Sequence, residues 1–216
     1  QYAIVTLHAK RTKSSIAAHI FATVAFLDPK YMDTLPARTT NNTAVDALTH
    51  LVESYLSAKA TAVSREIAKQ GLLLFKECMP ALRERVYSPE TRDKLMLMSA
   101  LGGVAIAQTM TSLPHGMGYF LTYEKGLPHG MANGVLTQAY LEQGMKMSRR
   151  FWNILALQAQ TKWAPFWMPF WSIIPFTPKQ MSQAIPTASW SRRVSLQPSL
   201  ILWKEKISTI CIEKAC

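Results

Sequence analysis

The feature that most restricts this 216-residue chain is a set of one acidic and three imidazole side chains. Asp46 and His50 are four residues apart in a helix-like segment, and such positions share one face of a helix. His115 and His129 each lie in a Pro-His-Gly triplet, which suits helix ends and loops. One carboxylate with three imidazoles is typical of a site for a divalent transition metal. We therefore expect a fold in which these four side chains converge.

Helical periodicity dominates the middle of the chain, where apolar residues recur every three or four positions. The predicted helices cover residues 41–59, 62–84, 88–112 and 131–145. Pro80 is expected to kink or end the second helix, because proline removes a helical hydrogen bond. The predicted buried side of the first helix comprises Ala44, Leu48, Leu51, Val52 and Tyr55.

The helix that begins at Ser88 has the clearest start signals. Serine is a good N-cap, proline suits the first helical turn, and Glu90 complements the helix dipole. This helix carries apolar residues on nearly all of its sides, which is typical of a buried helix. Gly102-Gly103 favours a close crossing with a neighbouring helix.

The amino-terminal residues differ from this helical region. Residues 3–7 and 22–27 are rich in β-branched side chains and are predicted to form short strands. The polar stretch 10–15 is interpreted as the link between them. Asp28-Pro29 indicates a turn after the second strand.

Six short motifs occur in a fixed order in this sequence. They are Leu27-Asp28-Pro29, Leu35-Pro36, Asp46-Ala47-Leu48-Thr49-His50, Glu53, His115-Gly116-Met117 and Pro128-His129-Gly130-Met131-Ala132-Asn133. Their order and separation resemble the iron-containing (group III) alcohol dehydrogenases, in particular the butanol-dehydrogenase-like branch. The resemblance extends from about residue 1 to about residue 146.

The resemblance implies a mainly α fold and three regions. Residues 1–36 would be the end of an amino-terminal α/β dinucleotide-binding region, so the chain is expected to be a fragment. Residues 37–146 would form the helical metal-binding domain of a dehydroquinate-synthase-like/iron alcohol dehydrogenase fold. Residues 147–216 do not resemble the family.

The activity implied by the resemblance is NAD- or NADP-linked interconversion of short primary alcohols and aldehydes. Asp46, His50, His115 and His129 would bind Fe(II), with Zn(II) as the alternative metal. Two rival interpretations remain: a glycerol/1,3-propanediol-type dehydrogenase, and a non-catalytic metal-binding helical fragment. We expect this chain alone to bind metal but to oxidise alcohol slowly or not at all.

Three further residues have two interpretations each. Many family members carry a second histidine, which relays protons, where this chain has Tyr119. Tyr119 is therefore either a catalytic relay or part of the pocket wall. Lys13 aligns with a family position near the cofactor, or is a solvated loop charge. Glu53 lies one helical turn beyond His50 and either supports a metal ligand or lies at the surface.

The composition argues against several partners and compartments. The formal net charge is +11, but the residues from 147 onward contribute +7 of it, so no basic nucleic-acid surface is predicted. No apolar run is long enough for a membrane span. Cys78, Cys211 and Cys216 have no metal-ligand spacing, which suits a reducing, cytoplasmic compartment. A homodimer is compatible with the resemblance.

The carboxy-terminal region from about residue 147 has a different character. It contains all six tryptophans, few acids and prolines that interrupt every candidate helix. One interpretation is a membrane-surface or partner-binding segment, since Trp with Lys and Arg suits an interface. The other is a shifted reading frame, which predicts poor packing and little regular structure.

Overall fold

Helices make up most of the described chain, as the apolar periodicity predicts. The computed structural model describes residues 3–10, 12–16 and 21–143. Its helices are α1 (Ala37–Leu56), α2 (Ala62–Glu84), α3 (Pro89–Thr109), α4 (Leu113–Lys125) and α5 (His129–Gln143). The mainly α fold class is confirmed, and α1, α2, α3 and α5 correspond to the four predicted helices. The sequence did not predict α4, because Pro114, Gly116 and Gly118 obscure its helical character.

The amino-terminal residues form a two-stranded antiparallel hairpin. Strand β1 (Ala3–Leu7) pairs with β2 (Thr12–Ile16), with Ala3 opposite Ile16. The prediction of a strand over 22–27 is wrong, because that stretch has no strand partner among the described residues and its side chains are exposed. The stretch interpreted as a polar link instead forms β2. A short connection places it beside β1, so proximity outweighs its low strand propensity.

Two helix starts follow the chemistry of their sequences. Thr61 caps α2, accepting a hydrogen bond from the Ser64 backbone N–H, and the Ser64 hydroxyl accepts one from the Thr61 N–H. The predicted start of α3 is confirmed, since the Ser88 side chain accepts from the Thr91 N–H at 3.1 Å. Pro80 does not end α2, which continues to Glu84. Proline removes a single N–H donor there, and the helix is already one turn from its end.

Helix α1 occupies the centre of the helical region and contacts α2, α3 and α5. Its predicted apolar side is buried, although Tyr55 is only partly covered. Polar residues of α1 are buried as well, including Asn41, Thr49 and Glu53. Their burial means that α1 has to meet polar partners as well as the hydrophobic core.

Helix α3 is not buried on all sides, which corrects the sequence prediction. Leu97 is 48% exposed and Val104 is 50% exposed. In the described residues α3 packs against α1, α2 and the 3-10 turn at Pro29–Met32, which leaves its remaining side uncovered. The predicted close crossing occurs at Gly102, where a Cβ would lie 3.4 Å from the Ala47 carbonyl oxygen. Gly103 faces open space.

The predicted properties of the 147–216 region lie outside the described residues. The proposed boundaries at 36 and 146 remain predictions. Among the described helices, none is by itself long and apolar enough to cross a membrane. Taken together, α3 and α4 are long and apolar enough by length and composition alone, but they are bent by 112° relative to each other.

Candidate metal centre

The four side chains singled out by the sequence meet where α1, α4 and α5 come together. The ligand atoms of Asp46, His50 and His115 all lie within 4.8 Å of one another. His129 Nε2 lies 3.8 Å from Asp46 Oδ1. Asp46 and His50 come from one face of α1, as their i, i+4 spacing predicts. Both Pro-His-Gly histidines lie at helix starts, in the first turn of α4 and at the first residue of α5.

A glycine allows α5 to approach α1 closely enough to complete this group. A Cβ on Gly130 would lie 1.8 Å from the Asn42 carbonyl oxygen and 3.1 Å from Asp46 Cβ. Any other side chain would therefore push α5 away from α1. Because His129 immediately precedes Gly130, this close contact fixes the distance between His129 and Asp46.

The imidazole rings pack against each other within the group. The rings of His50 and His115 are stacked, with centroids 4.4 Å apart and an interplanar angle of 17°. The rings of His115 and His129 meet edge to face at 5.3 Å. These contacts restrict ring rotation, so the nitrogen atoms keep their direction in the site.

Glu53 contacts the Nδ1 side of the His115 ring. His115 Nδ1 lies 2.5 Å from Glu53 Oε1, and the Glu53 side chain is fully buried. The other carboxylate oxygen of Glu53 accepts hydrogen bonds from the backbone N–H and the hydroxyl of Ser112. The interpretation of Glu53 as a surface residue is therefore wrong. Its contacts leave His115 Nε2 as the nitrogen directed into the site.

The free nitrogen of His115 is the strongest sign that the group fits a metal. His115 Nε2 is buried and has no hydrogen-bond partner among the described residues. Asp46 Oδ1 is 3.4 Å away, beyond good hydrogen-bonding distance. A buried imidazole nitrogen without a partner is unfavourable unless something else binds it. Histidines that bind metals usually donate their other N–H to a carboxylate, as His115 does to Glu53.

Burial and neighbouring charges shift the pKa values of the group. Burial lowers the pKa of His50 to about 4, despite the opposing attraction of Asp46. Burial would also lower the pKa of His115, but its pairing with Asp46 and Glu53 raises that pKa to about 9. Burial would raise the pKa of Asp46, yet its contact with His115 and the nearby imidazoles hold that pKa below its usual value. The site therefore favours a charged Asp46 beside a neutral His50.

Asp46 and His129 are only partly buried, unlike His115. The Asp46 side chain is 25% exposed, and that of His129 is 29% exposed, whereas that of His115 is only 2% exposed. The Asp46 carboxylate lies near the start of α5, where His129 is the first residue.

Tyr119 lies against His129, and the Lys13 side chain is outside the described residues. The rings of Tyr119 and His129 are stacked almost parallel, with centroids 5.2 Å apart. Burial raises the pKa of the Tyr119 phenol, and the charges of Asp46 and Glu53 raise it further. The phenol therefore stays protonated at neutral pH. The backbone of Lys13 lies in β2.

Sequence reasoning gave no role to two residues that contact the site. Ser112 immediately precedes α4 and binds Glu53. Asn133 lies one turn after His129 on α5, and its amide nitrogen is 2.8 Å from Asp46 Oδ1. The i, i+4 spacing of His129 and Asn133 is the same as that of Asp46 and His50. This spacing is the sequence signal that could have identified Asn133.

A family match decides where this chain belongs. The model described as "Fe-containing alcohol dehydrogenase family, C-terminal" matches residues 40–162, more than half of the 216 residues. The chain belongs to this family. The resemblance inferred from the motifs is thereby confirmed.

Two of the similar known proteins are alcohol dehydrogenases that are longer than this chain. The chain is 32% identical over 117 residues to 1-propanol dehydrogenase PduQ of Salmonella typhimurium, covering 54% of this chain and 32% of the relative. It is 31% identical over 137 residues to alcohol dehydrogenase 4 of Schizosaccharomyces pombe, covering 63% and 32%. The chain thus spans about a third of the length of these relatives.

Solved structures of similar proteins share the fold. An iron-containing alcohol dehydrogenase from Thermotoga maritima aligns with a TM-score of 0.66 at 26% identity, over 98% of this chain and 59% of that chain. Sulfoacetaldehyde reductase from Bifidobacterium kashiwanohense in complex with NAD+ aligns with a TM-score of 0.72 at 19% identity, over 99% and 60%. The second likeness, at its low identity, concerns the fold alone.

Proposed function

We propose that this chain forms the metal-binding part of an iron-dependent alcohol dehydrogenase that interconverts short primary alcohols and aldehydes with NAD or NADP. The observation that carries the proposal is the convergence of Asp46, His50 and His115 around a buried His115 Nε2 that has no partner among the described residues. Family membership supports the reaction type. The similarity to 1-propanol dehydrogenase PduQ supports a short primary alcohol as substrate.

Asp46, His50, His115 and His129 would hold the metal. The family description supports iron, and the mixed oxygen and nitrogen donor set accepts Fe(II) or Zn(II). When bound, such a metal supplies a Lewis acid that favours loss of the hydroxyl proton of an alcohol. The negative charge of Asp46 would attract the cation, and the lone pair of neutral His50 is available to it at neutral pH.

Glu53 and Tyr119 would assist through two different candidate ligands, His115 and His129. Glu53 accepts the Nδ1 proton of His115, so a metal that displaces the Nε2 proton meets the lone pair on the nitrogen that faces the site. Tyr119 stacks on His129, and its high pKa makes it a hydrogen-bond donor to a substrate oxygen rather than a fast proton relay at neutral pH. The proposed place of Lys13 beside the cofactor rests on the family resemblance alone.

The cofactor would be a nicotinamide dinucleotide, which takes up the hydride of the alcohol carbon. The similarity in fold to a reductase solved with NAD+ supports this cofactor class. A cytoplasmic location and a homodimer remain predictions from the sequence. So do the three regions 1–36, 37–146 and 147–216.

Metal and alcohol binding by the purified chain test this proposal without requiring turnover. Co(II), a coloured divalent metal with the same ligand preferences, would be titrated anaerobically and followed by its visible absorption. We expect one Co(II) per chain, and a change in its spectrum when 1-propanol is added. Fe(II) should compete for the same site.

Two variants make the test specific. His129→Ala should weaken Co(II) binding, and with it the spectral response to 1-propanol, because it removes one of the four candidate ligands. Glu66→Ala changes an exposed residue of α2 and should behave like the parent chain. A parent chain that binds no divalent metal, or binds it equally well without His129, contradicts the proposal.

A further inference from the structure

Asn133 links two of the candidate ligands through one amide group. It is fully buried on α5, one turn after His129. Its side-chain nitrogen lies 2.8 Å from Asp46 Oδ1 and 3.1 Å from His129 Nε2. The two N–H donors of one amide can therefore reach a carboxylate on α1 and an imidazole on α5 together.

The orientation of this amide follows from the chemistry of its neighbours. A carboxylate is an acceptor only, so the group facing Asp46 has to be the amide nitrogen and not the oxygen. The same nitrogen then donates to His129 Nε2, which requires a lone pair on Nε2 and the proton on Nδ1. His129 Nδ1 lies 3.4 Å from the Thr122 hydroxyl oxygen, and that hydroxyl donates onward to the Gly118 carbonyl. The donors and acceptors in this series of contacts, from Asp46 to Gly118, are therefore mutually consistent.

Hydrophobic packing does not account for an amide at this position. Asn133 Oδ1 is buried and has no hydrogen-bond partner among the described residues. The helix α4 comes so close that a Cβ on Gly118 would lie 2.0 Å from that oxygen. A leucine of similar size would fill the space without an unpaired buried oxygen, which is unfavourable. The amide thus has a role other than filling the core.

We propose that Asn133 is a positioning residue of the metal centre, which holds the Asp46 carboxylate in place and, before a metal binds, keeps the proton of His129 on Nδ1 by donating to Nε2. A metal that takes the Nε2 lone pair displaces this one hydrogen bond, while the amide keeps its bond to Asp46. This inference rests on the metal centre of the proposed function. It makes His129 similar to His115 in directing Nε2 inward, although the Nδ1 contact of His129 with Thr122, at 3.4 Å, is longer than the 2.5 Å contact of His115 with Glu53. The two histidines then present the same nitrogen to a shared ion.

A purely structural role for Asn133 gives a different expectation from a positioning role. If the amide only joins α1 to α5, its removal lowers the stability of the metal-free chain. If it positions ligands, its removal weakens metal binding while the metal-free chain stays as stable as before. Metal affinity and metal-free thermal stability therefore have to be measured on the same variants.

The test compares Asn133→Leu and Asn133→Ala with the parent chain, using Co(II) alone as the probe. We expect Co(II) affinity to fall by roughly 10- to 100-fold, the usual effect of removing a group that supports a metal ligand. We expect Asn133→Leu to keep the metal-free unfolding midpoint, measured by circular dichroism. Asn133→Ala cannot clash with α4 and repeats the affinity measurement if leucine disturbs the fold.

Thr137→Val is the matched control. Thr137 is buried one turn further along α5, and its hydroxyl donates to the backbone carbonyl of Asn133 at 2.8 Å. It should bind Co(II) like the parent. If both Asn133 variants bind Co(II) as tightly as the parent chain, this inference is wrong, but the metal centre is not. The same holds if they lose metal-free stability as much as they lose Co(II) affinity. If the parent chain does not bind Co(II), the proposed metal centre is wrong, and this inference fails with it.

Discussion

A neutral side chain cannot replace the hydrogen-bonding role of the Glu53 carboxylate. One of its oxygens accepts from His115 Nδ1, and the other accepts twice from Ser112. In Glu53→Gln a single amide oxygen remains to serve both sides. If the amide NH2 faces His115, the imidazole proton moves to Nε2 and the lone pair leaves the site. We expect metal affinity to fall by roughly 10- to 100-fold, measured by Co(II) titration. Glu66→Gln, an exposed change on α2, should keep parent affinity.

Cys78 tests the packing between α2 and the start of α3. Its side chain is 2% exposed, and burial raises the pKa of the thiol to about 11. At pH 8 only about a thousandth of the thiol is then the reactive thiolate. We expect iodoacetamide to leave Cys78 unmodified in the folded chain and to modify it in urea, as read by peptide mass spectrometry. Rapid alkylation without denaturant would show that α2 and α3 are not packed as described.

Single residues of the site were predictable where a spacing rule applied to them. The i, i+4 rule placed Asp46 and His50 on one helix face. The Pro-His-Gly triplets predicted helix ends or loops for two histidines, which lie at the starts of α4 and α5. Ser112 had no such rule, because its partner Glu53 is 59 positions away in the chain. The depth of Glu53 was open for the same reason, since periodicity within one helix does not reveal what packs against it.

At the scale of elements, the crossing of α5 over α1 depends on Gly130. A Cβ at this position would lie 1.8 Å from a backbone oxygen, which cannot rotate away as a side chain can. We expect Gly130→Ala to destabilise the chain by about 1–3 kcal/mol, as overpacking commonly does, and to weaken metal binding by displacing His129. The measurements are urea unfolding and Co(II) titration.

Gly103→Ala is the matched control for this glycine. Gly103 lies on α3 with nothing within 4 Å of its Cβ position. Alanine in an exposed helix interior should stabilise the chain by roughly 0.5–1 kcal/mol, because glycine loses more backbone entropy on folding. Equal effects of the two substitutions would mean that the α1–α5 contact is looser than described.

The elements themselves were predictable to different degrees. Local signals, namely the start signals at Ser88 and the apolar periodicity, predicted α2 and α3 to within a few residues. The hairpin was not predicted, because pairing of β2 with β1 depends on a short connection rather than on strand propensity. The exposure of Leu97 and Val104 was not predicted either, since the composition of a helix does not specify how many neighbours surround it.

At the scale of the whole molecule, the described residues bring four candidate metal ligands together, but they offer fewer features of a nicotinamide-binding site. The described double glycine, Gly102-Gly103, lies within α3 and does not follow a strand as phosphate-binding glycine turns do. We therefore expect the 216-residue polypeptide to bind NADH weakly, measured as little change in nicotinamide fluorescence on titration. Accordingly, anaerobic oxidation of 1-butanol with Fe(II) and NAD+ should be slow or absent. Turnover near the enzyme median of about 10 per second would contradict this prediction.

Metal should also stabilise the whole helical region, because its candidate ligands come from three helices. Asp46 and His50 belong to α1, His115 to α4 and His129 to α5, so an ion bound by all four ties these helices together. A ligand that binds only the folded state stabilises it by about 2.7 kcal/mol at a free concentration 100 times its Kd. We expect the thermal unfolding midpoint to rise with Zn(II) or anaerobic Fe(II) and to fall again when a chelator is added. His50→Ala should lose this rise, whereas Thr137→Val should keep it. A midpoint that does not depend on metal in the parent chain would mean that the four side chains, although close together, do not form one binding site.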